Sequence, residues 1–281
     1  MKKILLDTDI GCDIDDALTL TYLLKNPECE LLGITTVSGD VGLRARLCSM
    51  ICKHENKNIP IYTGLEKSVM NIREAEFPQE SERLAKWPYD TNFPNQATEF
   101  LRDTIEQNPG QITLLAVGPL TNIADLFTKY PHTAPLLKDL YIMGGKFLGE
   151  EQLEWNIKFD PHAAETVFSA DVKKLVAAGL DVTLSFSLFR EQMAEKVTNA
   201  PIIKQFAEDW FNDISDRIYF HDPLATALVF DESICTYQCG TIKMNMQTYC
   251  TTFTPGQGTH RITDKVDVEK FYNSFFKILN S

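Results

Sequence analysis

Five aspartates fall within ten residues near the start of the chain: Asp7, Asp9, Asp13, Asp15 and Asp16, in the stretch ILLDTDIGCDIDDALTL at residues 4–20. The apolar run Ile4-Leu5-Leu6 before them reads as a strand, Gly11 as a turn, and the segment from Ala17 as a helix. Carboxylates crowded into one loop repel one another unless a positive charge sits among them or some stay protonated. A bound divalent cation is the simplest remedy, and hard oxygen ligands suit Ca²⁺ or Mg²⁺ rather than zinc. A competing account takes Asp15 and Asp16 as helix-terminal carboxylates that cap the helix and favour the positive end of its dipole. Asp7 and Asp9 lie too early for that. An EF-hand is excluded by register, because Gly11 sits at the fifth loop position rather than the sixth and Leu18 occupies the twelfth.

The elements that must position this loop follow an alternating order. Residues 17–25 read as a helix stopped by Asn26-Pro27, and 31–37 (LLGITTV) as a buried strand ending at Ser38-Gly39-Asp40. Residues 44–53 read as a helix, 59–62 as a short strand, 97–107 as a helix and 112–117 as a strand. A helix starts near Thr121-Asn122, a strand covers 140–143, and a helix opens at Asp160-Pro161 with proline in its first turn. Leu175-Val176 and Val182-Thr183-Leu184 read as strand material, and 200–214 as a helix. Residues 242–253 and 261–266 read as antiparallel strands and 268–279 as a closing helix. Residues 65–96, with three prolines and isolated aromatics, read as a long surface excursion, either a lid or a segment pinned by those aromatics. Strands alternating with helices predict one α/β domain over residues 1–281. It has a mostly parallel central sheet, helices on both faces and a small antiparallel C-terminal addition. In such sheets the carboxyl ends of the strands line the ligand crevice. Four loops fall there: residues 7–16, 38–40, 117–121 and 144–156.

The 281 residues suffice for a sizeable core, and 44% hydrophobic with 23% charged residues is ordinary for a globular protein. A formal net charge of -12 argues against nucleic-acid or membrane-surface partners and for small substrates. Seven scattered cysteines, without paired CxxC or Cys/His spacing, indicate neither a disulfide framework nor a zinc site and fit a reducing cytoplasm. Only three apolar residues follow Met1-Lys2-Lys3 before Asp7, and no run approaches the roughly 18–20 residues that span a bilayer. A soluble, unprocessed protein is expected.

Asp7-Thr8-Asp9 after an apolar strand resembles two enzyme families. One is the haloacid-dehalogenase phosphatases, in which two such aspartates surround Mg²⁺; the other is the inosine/uridine-preferring nucleoside hydrolases. Later motifs favour the second. Asp15-Asp16-Ala17, Gly118-Pro119-Leu120-Thr121-Asn122, Met143-Gly144-Gly145 with Glu154-Trp155-Asn156 and Asp160-Pro161, and His221-Asp222-Pro223 are similar to that family's segments and stand in the same order. The phosphatase resemblance ends at residue 11.

The nucleoside hydrolase resemblance implies Ca²⁺-dependent cleavage of the N-glycosidic bond of a ribonucleoside or related N-riboside. Asp9, Asp16, Asp222 and the Val117 carbonyl would hold Ca²⁺, and Asp9 would also be the general base towards water. Asp15, Glu154 and Asn156 would hydrogen-bond the ribose, with Trp155 either beneath the sugar or in the core. His221 would help the base leave, or serve to orient Asp222. The family also implies a homodimer or homotetramer. Three departures stand out. Cys12-Asp13-Ile14 separates Gly11 from the paired aspartates where one residue is common, so Asp13 competes for a metal or ribose role. Asp40 replaces an asparagine near the ribose. Gln152 stands where an asparagine usually meets the sugar's 5′ end. A non-catalytic binder of ribose or nucleoside is the alternative these departures leave open.

Overall fold

Along the first strand, Ile4 and Leu6 enter one apolar core while Leu5 enters another, the two-residue alternation of a strand buried on both faces. The computed structural model describes residues 1–70, 84 and 86–281. Its strands are β1 (Lys2–Thr8), β2 (Cys29–Thr36), β3 (Ile61–Thr63), β4 (Ile112–Ala116), β5 (Asp139–Met143), β6 (Leu175–Ala178), β7 (Ser187–Phe189), β8 (Arg217–Tyr219), β9 (Cys235–Asn245), β10 (Cys250–Pro255) and β11 (His260–Val266). Its helices are α1 (Asp15–Lys25), α2 (Val41–His54), α3 (Ala97–Gln107), α4 (Thr121–Lys129), α5 (Trp155–Phe159), α6 (Pro161–Phe168), α7 (Leu180–Thr183), α8 (Arg190–Lys196), α9 (Pro201–Asp213), α10 (His221–Phe230) and α11 (Val268–Leu279).

Among the described residues nine strands form one sheet in the order β10-β9-β11-β6-β5-β4-β1-β2-β3. From β3 through β11 every pairing is parallel, and β9 and β10 add antiparallel strands beyond β11. The expected antiparallel addition is therefore continuous with the central sheet, while β7 and β8 make a separate two-stranded sheet. Alternation persists through the middle strands: Leu115, Tyr141 and Val176 face the core covered by α1, α2, α9, α10 and α11, and Leu114, Leu140 and Leu175 face the core under α3, α4 and α6. The chain leaves β1 for β2 on one side and returns to β4 on the other. A crevice opens at that reversal, outside the carboxyl ends of β1 and β4.

One expectation changes. Val182 and Thr183 lie not in a strand but in α7, a single helical turn closed by Thr183 N–H to Gly179 O at 3.1 Å. The turn brings Leu180 and Leu184 within one helical repeat of each other, about 6 Å along the axis, where a strand would spread them over about 13 Å. The excursion at 65–96 falls partly on residues outside those described. Its described parts are tied down: Ser38 and Gly39 N–H reach the carbonyls of Leu65 and Glu66, Val69 N–H reaches Asp160 Oδ2, and the Trp87 ring packs edge-on against His54. Among the described residues no helix is long and apolar enough to cross a membrane.

Candidate active site

The acidic loop is fixed from below. Asp7, fully buried at the end of β1, accepts hydrogen bonds through Oδ1 from Thr35 Oγ1 of β2 and from Asn122 Nδ2 of α4 at 2.7 Å. Its Oδ2 finds no partner among the described residues, and burial pushes its pKa up to about 7. Asn122 also donates to Thr36 O and accepts from Leu65 N–H, so one amide ties α4 to the ends of β1 and β2 and to the loop after β3. Gly118 permits the next approach. A Cβ there would lie 2.9 Å from both the Asp9 nitrogen and Asp9 Oδ1, so only glycine lets the β4 loop pass the acidic loop.

Above this base two helix N-termini converge. Asp15 and Asp16 occupy the first turn of α1 and Asp222 the first turn of α10, and the two helices pack together through the Thr226 and Thr19 hydroxyls 3.2 Å apart. One oxygen from each of these three buried aspartates lies within 4.8 Å of the others. None of them caps its helix. Asp16 Oδ1 takes the Thr8 hydroxyl and Asp15 Oδ2 the Asp222 N–H at 3.2 Å. Burial first, then mutual repulsion, pushes the carboxyls of Asp15, Asp16 and Asp222 well above the usual carboxylate range. Three buried acids that repel one another, with only oxygen to offer, fit a hard divalent cation.

Asp9 and Asp13 line the same cavity but stand outside that tight trio. Burial raises the Asp9 carboxyl, opposed by the Arg44 guanidinium. Asp13 is pushed up to about 6 by burial, opposed by backbone N–H groups including that of Ile14, which donates to its Oδ1 at 2.6 Å. Arg44 itself is only 1% exposed. It donates to Ser38 O and to Ile10 O and lies 3.6 Å from Cys12 Sγ, tying the acidic loop to the loop after β2.

The cavity holds about 430 Å³. Glu154 caps α5, accepting the N–H groups of Asn156 and Ile157, and that of Gly145 across the loop, at 2.9–3.1 Å. Its carboxyl is raised by burial, offset in part by those three bonds. Asn156 Nδ2 donates to the carbonyls of Val117 (2.7 Å) and Met143 (3.1 Å), and its Oδ1 accepts no hydrogen bond among the described residues. Trp155 is 42% exposed and lines the cavity with Gln152, so it belongs to the site and not to the core. The lining also has an apolar part, Leu180, Leu184, Trp210 and Ile214, along with His221. The imidazole stacks on Tyr219 and its Nδ1 lies 2.8 Å from Thr183 Oγ1. Burial lowers the His221 pKa to about 4, so the ring is neutral at neutral pH.

The structure thus gathers Asp9, Asp13, Asp15, Asp16, Val117, Gln152, Glu154, Trp155, Asn156, His221 and Asp222 around one cavity. Asp40 is the exception. Its Oδ1 accepts Leu43 N–H at 2.8 Å as the N-cap of α2, and it does not line the cavity, because the start of α2 offers its carboxylate unpaired amides close at hand. Sequence reasoning missed Arg44, Thr183, Leu180, Leu184, Trp210 and Ile214 as site residues. An arginine on an otherwise apolar helix face, between Val41 and Leu47, was the one available signal for Arg44.

Comparison with known proteins agrees with this geometry. The family described as inosine-uridine preferring nucleoside hydrolase matches residues 4–273. Uridine nucleosidase 1 of Arabidopsis thaliana is 29% identical over 275 residues, covering 89% of this chain and 80% of that one. The pyrimidine-specific ribonucleoside hydrolase RihB of Escherichia coli (strain SE11) is 34% identical over 192 residues, 65% of this chain and 60% of its own. Among solved structures, a purine-preferring ribonucleoside hydrolase from Gardnerella vaginalis superposes with a TM-score of 0.85 at 23% identity, over 99% of this chain and 98% of that one. Neither a phosphatase nor a non-catalytic relative finds support in these likenesses. The chain belongs to the inosine-uridine preferring nucleoside hydrolase family of N-glycosyl hydrolases.

Proposed function

We propose that this enzyme hydrolyses the N-glycosidic bond of a ribonucleoside, with Ca²⁺ as its metal, giving ribose and the free base. The observation that carries the reading is the buried trio Asp15, Asp16 and Asp222, which lines a cavity whose other residues include both carboxylates and apolar side chains. The names of the relatives favour pyrimidine ribosides, with uridine the first to try.

Asp16 and Asp222 would hold the cation, joined by Asp9 and the Val117 carbonyl, with Asp15 within reach of both metal and sugar. When bound, Ca²⁺ would keep these carboxylates ionised and polarise water. Asp9 takes the proton of the attacking water as its oxygen bonds to C1′ and the C1′–N bond breaks. Positive charge building on the ribose is met by the surrounding carboxylates, as in other oxocarbenium-like sugar transfers. Asp15, Glu154 and Asn156 Oδ1 accept from the sugar hydroxyls, Trp155 lies against the ring, and Gln152 serves the 5′ end. The base departs against His221 and the apolar side chains. A neutral imidazole supplies a hydrogen bond there, and the departing base takes its proton from solvent.

Buried acceptors built for sugar hydroxyls reject a sugar that lacks one. Assay of free ribose over a panel of ribonucleosides and 2′-deoxyribonucleosides, with calcium present, tests the reading. Release is expected from at least one ribonucleoside, and at least about 100-fold less from its deoxy counterpart. No release from any riboside would overturn it.

A further inference from the structure

His221 presents two ring nitrogens, and the one facing the cavity can aid a departing base only if it carries the proton. What decides this lies behind the ring. Thr183 is fully buried in α7, and its Oγ1 stands 2.8 Å from His221 Nδ1. Its backbone N–H is spent on Gly179 O, and among the described residues its hydroxyl makes no other hydrogen bond. A hydroxyl can donate or accept, but a buried O–H that donates to nothing forfeits its solvation without return. If His221 Nδ1 carried the proton, the Thr183 hydroxyl would accept it and leave its own hydrogen unpaired. If Nδ1 is bare, the hydroxyl donates to it and both groups are satisfied. The ring proton then sits on Nε2, which has no hydrogen bond among the described residues, while the ring itself lines the cavity.

The turn that carries Thr183 is held firmly. Leu180 N–H donates to Gly145 O at 2.8 Å, and the Asp181 carboxylate accepts Phe147 and Leu148 N–H, both at 2.8 Å. These bonds fasten α7 to the loop that presents Glu154 and Asn156. Tyr219 stacks on the imidazole with ring centroids 5.5 Å apart and fixes its plane from one side. The partner of the leaving-group histidine and the ribose-facing loop are therefore mounted on one support.

We propose that Thr183 is a positioning residue: its hydroxyl donates to His221 Nδ1, holds the imidazole in the Nε2–H form and so aims an N–H at the departing base. The inference rests on the reading of His221 given above. It asks for a hydrogen bond to the leaving group and no proton transfer from the ring, so a neutral imidazole suffices.

Two measurements test it. Thr183→Val removes the hydroxyl at nearly constant shape and Thr183→Ser restores it. Both are assayed with calcium on the best ribonucleoside and on 4-nitrophenyl β-D-ribofuranoside, whose nitrophenolate leaves unaided. Thr183→Val is expected to lower kcat on the nucleoside roughly 10- to 100-fold with KM little changed, to leave the nitrophenyl riboside within about threefold, and to be rescued by Thr183→Ser. Equal losses on both substrates, or a serine variant as slow as the valine one, would overturn it. Independently, nitrogen-15 spectra of the wild-type protein labelled at its five histidines report the tautomer of His221. A proton on Nε2 supports the proposal, and a proton on Nδ1 refutes it even if no riboside is cleaved. Absence of all turnover with the Nε2–H form present would count against the proposed reaction and not against the role of Thr183.

Discussion

Asp7 offers a sharp physical prediction, because it combines complete burial with one oxygen that no described residue satisfies. Its carboxyl titrates near pH 3.8 in an unfolded chain and at about 7 in the folded one, chiefly through burial. The folded state thus holds this proton more tightly. Its contribution to stability is fully present below pH 3.8 and is lost as pH rises to 7. At about 1.36 kcal/mol per pH unit the loss amounts to about 4 kcal/mol, complete above neutrality. Asp7→Asn keeps an acceptor for Thr35 and Asn122 but has no proton to lose. In chelator, thermal melts of both proteins from pH 4 to pH 8 should therefore diverge, the variant gaining about 8 °C on the wild type across that range at roughly 2 °C per kcal/mol. Titrations of Asp9, Asp13, Asp15, Asp16 and Asp222 are common to both proteins and largely cancel in the difference. A difference that does not change with pH, or one that shrinks, refutes the account of Asp7.

Other outcomes follow from the same geometry. Removing the cation should abolish turnover and lower the melting temperature, and titrating Ca²⁺ back should restore both; at a hundredfold excess over Kd the gain is about 2.7 kcal/mol. Full activity in chelator contradicts the metal reading. Asp40→Asn should leave KM for the riboside unchanged and alter stability by less than about 0.5 kcal/mol, since asparagine caps a helix as well as aspartate does. A large rise in KM would return Asp40 to the sugar site. Trp155→Ala should raise KM about tenfold while melting within a few degrees of the wild type, because the ring is 42% exposed and packs on the cavity rather than in the core. A collapse of stability with KM intact would reverse that assignment.

Much of the fold was legible because strands buried on both faces are short apolar runs and their ends are marked by glycine, proline and acidic residues. The closing helix falls on residues 268–279 as expected, and α3 on 97–107. α1 begins at Asp15, two residues before Ala17, which brings both aspartates into its first turn. The gathering of residues around the cavity was legible where they belong to a local motif, as with Asp15-Asp16, Glu154 to Asn156 and His221-Asp222. It was illegible where the placement is made by distant backbone. Arg44 owes its place to the carbonyls of Ser38 and Ile10, and nothing within its own helix announces them. Thr183 sits in a β-branched triplet that reads as strand, yet the short path from β6 to β7 folds it into one helical turn behind His221. Asp40 was misread in the other direction, since a carboxylate after a strand end can serve a substrate or the helix that follows, and the free amides of α2 were nearer. Trp210 reads as helix core, and so it is along α9, but one edge of it also walls the cavity.

The central claim is that Asp9, beside the buried trio, takes the proton of the water that cleaves an N-riboside. The most direct measurement follows uracil and ribose together from uridine, with calcium, for the wild type and for Asp9→Asn. The account predicts equal amounts of both products from the wild type, and turnover lowered at least about 1,000-fold in the variant with uridine still bound. Undiminished turnover in Asp9→Asn, or uridine bound by the wild type without release of either product, would contradict it.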